Sequence, residues 1–168
     1  MQEWKDVLAQ LGQRLGIAGL QADEQGYCAL SIDPGWVLHL MYLPQRHCIQ
    51  CMAELGALPV QGREAVLQRM LQANALFAGT DGATLGLDGA RQLAVLSQEL
   101  PLAGLDGVVL EQALECFVLQ AERWGQWLQQ QAQAADQAEA AADATSQAAG
   151  SAGQPGAAQA GAMSWHWG

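Results

Sequence analysis

The sequence predicts an α+β fold: one twisted, mainly antiparallel five-stranded sheet with three helices, in the order α-β-β-β-α-β-β-α. Three observations carry this. Apolar residues alternate with a period of two across Gly26–Leu55 and again from Thr84 to Glu99, as strands require. They recur at helical spacing in three other stretches, starting near Trp4, Val66 and Leu110. Short polar turns join the strand-like runs, which makes consecutive strands antiparallel neighbours.

The first helix carries Trp4, Val7, Leu8, Leu11 and Leu15 on one side, with Lys5, Asp6, Gln10, Gln13 and Arg14 on the other. Gly16 is its natural stop. Gly12 inside it costs up to about 1 kcal/mol relative to Ala, which points to close packing or to the approach of a partner. A three-stranded meander follows. Its apolar sets are Cys28, Leu30 and Ile32; Trp36, Leu38, Leu40 and Tyr42; and Ile49, Cys51, Ala53 and Leu55. Asp33-Pro34-Gly35 makes the first turn and Pro44 to His47 the second. The middle strand also carries Val37, Met41 and Leu43, with His39 its one polar residue. Both faces of that strand should therefore be covered, which opens one of them to something outside the chain.

A second helix is expected from about Gly62 to Ala78, with Val66, Met70, Ala73 and Phe77 along one stripe and Leu67 and Leu71 beside it. Gly79 to Gly82 breaks the chain. Leu85 and Leu87 then alternate with small or polar residues, and Asp88-Gly89 signals a hairpin. The returning strand spans roughly Gln92 to Glu99, with Leu93 and Val95 pointing one way and Ala94 and Leu96 the other. Leu100-Pro101-Leu102 reads as the turn into the third helix, with Asp106 as its N-cap. Leu110, Leu114, Phe117, Ala121, Trp124 and Leu128 form the cleanest stripe in the chain, expected to pack against the sheet. Residues 1–130 thus read as one α+β domain. Residues 131–168 read as a low-complexity Ala/Gln/Gly tail, helical at its start and disordered beyond Gly150. The tail ends in Trp165-His166-Trp167.

Formal charge is -10, from 17 acidic and 7 basic residues. Nucleic acid and anionic membranes need a basic surface, so neither is an expected partner. No apolar run approaches the roughly 18 residues of a membrane-spanning helix. Met1 to Asp6 lacks a basic region followed by an apolar one, which argues against a secretory signal. The four cysteines, Cys28, Cys48, Cys51 and Cys116, are accordingly expected as reduced thiols in the cytoplasm. Cys48 and Cys51 form a C-x-x-C, but on a strand residues three apart point to opposite faces. The sequence has no nucleophile elbow, Walker loop, dinucleotide fingerprint or H-E-x-x-H. His39, His47 and His166 are scattered, and no catalytic, cofactor or metal residue is assigned.

Four local features resemble the class I type III secretion chaperones, the CesT or Tir-chaperone family, over roughly Trp4 to Leu128. They are Val7-Leu8-Ala-Gln-Leu11-Gly12 with its Leu15-Gly16 end; Asp23-Glu24-Gln25-Gly26 leading into the strands; Leu71-Gln72-Ala73-Asn74 at the end of the middle helix; and Leu100-Pro101-Leu102 through Phe117 to Trp124. The resemblance implies a non-catalytic homodimer in the bacterial cytoplasm, without cofactor. It would bind the N-terminal segment of a secreted effector in extended form and keep it competent for the secretion ATPase, a further partner. A non-catalytic adaptor dimer of the same fold, and a thiol-dependent or zinc protein, are the alternatives from other classes.

The broad stripe of the middle helix suggests a two-fold interface built from Val66, Met70, Ala73 and Phe77, with Leu96 exposed on the adjacent hairpin. Strand addition at a sheet edge suits an extended cargo. The expected groove lies between the first helix and the meander, lined by Val7, Leu8 and Leu11 and by Val37, Met41 and Leu43.

Overall fold

A computed structural model, described for residues 1–32 and 35–151, has the expected order of elements. They are α1 (Gln2–Leu15), β1 (Tyr27–Ile32), β2 (Trp36–Leu43), β3 (Cys48–Ala57), α2 (Arg63–Asn74), β4 (Thr84–Asp88), β5 (Leu93–Pro101) and α3 (Gly107–Ser151). All strand pairs are antiparallel, in the spatial order β1-β2-β3-β5-β4. By internal contacts the chain divides into two units, Met1–Ala135 and Asp136–Gly168. The sheet and everything described below belong to the first.

The register shows how alternation builds the core. Leu40 lies between Cys28 and Cys51, and Ala53 lies between Leu38 and Leu96. These residues share one face and are buried, as are Trp4, Val7, Leu8 and Leu11 of α1. The stripe of α3 from Leu110 to Leu128 is buried in the same cluster. α1 stops where Gly16 adopts a left-handed φ of 68°, which costs glycine little. Gly12 is explained by packing within the chain: a Cβ there would lie 2.9 Å from the Leu20 Cβ. The turn expected at Asp33-Pro34 lies outside the described residues, as does the Trp165-His166-Trp167 end.

Three boundaries differ from expectation. β5 runs on to Pro101, because Leu100 and Pro101 still pair with Ile49 and Cys48. The turn comes later, and Asp106 caps α3 by accepting the Val108 and Val109 N–H groups at 2.9 Å each. The β4–β5 connection is wider than a two-residue turn: the Asp88 carboxylate accepts the N–H groups of Ala90 and Arg91 at 3.0 and 3.1 Å. α2 ends at Asn74 rather than Ala78. The Asn74 amide donates to the Leu85 carbonyl and accepts the Leu85 N–H, both at 2.9 Å, so the helix end is clamped to β4. A short 3-10 turn follows, in which Leu76 and Phe77 take left-handed φ values of 54° and 55°.

Candidate functional site

β1 is an edge strand. Among the described strands it pairs with β2 alone; Asp23 takes both backbone groups of Tyr27, accepting its N–H and donating to its C=O, and the outer edge beyond Tyr27 is open to another chain. Beside it runs a groove of about 500 Å³ bounded by the end of α1, β1 and α3. Its floor is buried core: Leu11, Leu30, Leu38 and Leu114. Its walls are large apolar side chains left in solvent, Leu15 and Ile17 on one side and Leu119, 63% exposed, on the other. The groove exists because α1 terminates at Gly16, before it can cover the sheet next to Ile32. Exposed leucines and isoleucines converging on a sheet edge are an unfinished core, the kind of surface that marks an interaction site. Glu111, Glu115 and Glu122 of α3 line the same groove. Arg14 pairs with Glu111 at 2.5 Å and ties the two helices at its rim.

The six residues expected to form the cargo groove do not come together. Val7, Leu8 and Leu11 are buried under the helices, and only Leu11 reaches the observed groove, as part of its floor. Val37, Met41 and Leu43 lie on the opposite face of the sheet. The reason is the pleat: Leu38, Leu40 and Tyr42 are buried toward the helices, so the residues between them must point away. On that other face Val37, Met41 and Leu43 are exposed or half-buried beside Tyr27 and His39, whose ring Nδ1 lies 2.7 Å from the Tyr27 hydroxyl. Leu15, Ile17, Ile32, Val118 and Leu119 were not anticipated as lining. Leu119 offered the one signal, an apolar residue among the glutamates on the outer side of α3.

The expected dimer residues also need correction. Val66, Met70 and Ala73 are buried within the chain, in the cluster that includes Leu85 and Leu96. Leu96 is 0% exposed, not exposed on the hairpin, because it faces Ala53 and Leu85 across the ladders on the helix-covered side. Phe77 is exposed. The outward apolar surface of α2 is instead Leu71, 70% exposed, followed by Leu76, 97% exposed, and Phe77, with Leu67 half-buried between them and the core.

Cys48 and Cys51 point to opposite faces, as alternation requires. Cys51 sits against Leu40 in the core, where burial pushes its thiol up to about 12. The Cys48 thiol lies toward Glu99 at 3.8 Å and is raised by burial and by that carboxylate. Among the described residues no helix is long and apolar enough to cross a membrane.

The fold is thus an open antiparallel sheet with helices on one face, an unpaired edge and an apolar groove beside it. The model of the Tir chaperone protein (CesT) family matches residues 6–125, and the chain belongs to that family of type III secretion chaperones. No curated protein sequence matches it. Solved structures share the fold. The ExsC–ExsE complex is 21% identical over 76% of this chain and 94% of that chain, with a TM-score of 0.67. The Yersinia pestis type III secretion chaperone SycH, in complex with a stable fragment of YscM2, is 24% identical over 72% and 98%, with a TM-score of 0.59. The heterodimeric ExoU–SpcU complex from the type III secretion system of Pseudomonas aeruginosa is 22% identical over 73% and 97%, with a TM-score of 0.57.

Proposed function

We propose that this chain captures a segment of a secreted effector in extended form, at the β1 edge and in the groove between α1, β1 and α3. The observation that carries the reading is the apolar groove flush with an unpaired strand edge. Backbone hydrogen bonding to β1 is indifferent to cargo sequence, while Leu15, Ile17 and Leu119 supply pockets for alternate side chains. In this reading the segment is the effector's N-terminal one. It is held unfolded and secretion-competent in the bacterial cytoplasm until the secretion ATPase takes it, and the chaperone itself performs no catalysis. The chain works as a homodimer through the outer surface of α2, Leu67, Leu71 and the Leu76–Phe77 turn. The HopA1–SchA chaperone–effector complex, among its structural neighbours, supports this reading.

The test is co-purification from the native host, followed by binding of the captured protein to Leu119→Asp. Leu119 is exposed, so the variant should fold normally. Losing an interface side chain that fills a pocket should weaken capture at least about tenfold. Undiminished capture would remove the groove from the function; a captured partner that is no secreted protein would favour an adaptor of the same fold.

A further inference from the structure

We infer that the groove selects extended segments that place lysine or arginine beside their apolar residues; the inference rests on the cargo-capture reading above. Glu111, Glu115, Val118 and Glu122 follow one another along α3 at spacings of four, three and four residues, which puts them on one helical stripe. All four line the groove, and no lysine or arginine does. Their charges are not equivalent. Glu111 is neutralised by Arg14 at 2.5 Å. Glu115 and Glu122 have no ion pair among the described residues. They stand about 10 Å apart along the helix axis, a span an extended segment covers in about three residues.

Apolar walls beside these two carboxylates lower the local dielectric and strengthen any charge that faces them. A segment carrying Asp or Glu there would bring like charges together. A lysine or arginine would lay its aliphatic stem along Val118 and Leu119 and set its cationic head on Glu115 or Glu122. Because β1 reads only backbone and the apolar walls read only side-chain size, the carboxylates are what distinguishes by charge two segments of the same apolar pattern. The formal charge of -10 on the whole chain steers cationic segments toward it.

The experiment uses the full chain and two labelled synthetic peptides. They share one pattern of alternating leucine and valine and differ in carrying lysine or glutamate at the intervening positions. Anisotropy titrations at low salt should show the lysine peptide binding at least about tenfold more tightly, with the contrast shrinking as salt is raised. Glu115→Gln with Glu122→Gln should weaken the lysine peptide by roughly threefold to tenfold. Glu24→Gln with Glu64→Gln, which removes the same charge from exposed positions outside the groove, should leave it nearly unchanged. Leu119→Ser reports whether binding occurs in the groove. Equal binding of the two peptides, still lost with Leu119→Ser, overturns the charge selection and leaves the groove reading standing. An equal loss in the two glutamine double variants also overturns it, because net charge alone would then explain the preference. If neither peptide binds, or Leu119→Ser changes nothing, the groove reading falls and the inference with it.

Discussion

Gly107 and Gln10 bring α3 and α1 to backbone distance. The Gln10 side-chain carbonyl accepts the Gly107 N–H at 2.9 Å. A Cβ at position 107 would lie 2.6 Å from the Gln10 Cβ and 3.0 Å from its carbonyl carbon. Gly107→Ala should therefore destabilise the fold by about 1–3 kcal/mol, the usual cost of overpacking. The methyl meets helix backbone rather than a side-chain tip that could swing aside. Thermal melts of the two proteins check this; an unchanged or raised midpoint would show that α1 and α3 can slide apart freely.

The outer surface of α2 gives a second expectation. Met70 is buried within the chain and Leu71 is not. If the proposed homodimer uses this surface, Leu71→Asp should shift the protein toward monomer mass in light scattering across a concentration series and leave a melting midpoint that no longer rises with concentration. Met70→Ala should instead cost about 2–5 kcal/mol of stability by leaving a core cavity. A Leu71→Asp protein that still scatters as a dimer would move the two-fold interface elsewhere.

These two residues also show what the sequence could and could not say. Helical spacing marked Val66, Met70 and Ala73 as one stripe, and that stripe is real. What spacing cannot say is whether a stripe faces its own sheet or a second subunit; here it faces Leu85 and Leu96. The alternation of β2 likewise separated Leu38, Leu40 and Tyr42 from Val37, Met41 and Leu43 correctly. Which set lies under α1 depends on how the meander is laid against the helix, a long-range relation that a period of two does not contain. The groove was least legible. It arises from the early stop of α1 at Gly16 and from Leu119, which lies off the buried stripe of α3 and so falls outside the apolar pattern that helical spacing picks out. The left-handed turn at Leu76 and Phe77 gave no warning, because neither residue is one that favours positive φ.

The thiols should differ in reactivity. Cys116 is exposed, while Cys28 and Cys51 are buried. Burial pushes the Cys51 thiol up to about 12 and raises that of Cys28, with Asp23 adding to the second. Raised thiols stay protonated at pH 8, and the protonated form is a poor nucleophile. Alkylation of the native protein at pH 8 should label Cys116 readily and Cys28 and Cys51 only after denaturant is added. Rapid labelling of Cys51 in the native state would mean that β3 opens locally. That would revive a thiol-based role for the Cys48-Cys51 pair.

The last expectation concerns the irregularity in β3. The β3–β5 register shifts between Glu54 and Gly56, a bulge in the ladder. There Arg91 of the β4–β5 connection grips Glu54 with both terminal guanidinium nitrogens, Nη1 and Nη2. The hydrogen bond from Arg91 lowers the Glu54 carboxyl below its ordinary value, against a smaller opposing effect of burial. A carboxyl that is more acidic folded than unfolded stabilises the fold above its unfolded value, about 4.3 for glutamate. That contribution disappears as pH falls through the lower folded value. Glu54→Gln should therefore melt below the parent chain at pH 7, and the gap should close as pH drops from about 4.3 downward. Arg91 is exposed and Glu54 half-buried, so solvent screens the pair, the gap should be small and it should narrow further in high salt. Comparing the two proteins at each pH cancels the titration of the other carboxylates. A gap that is constant with pH would mean that shape at the bulge, not the charge pair, explains the effect of the substitution.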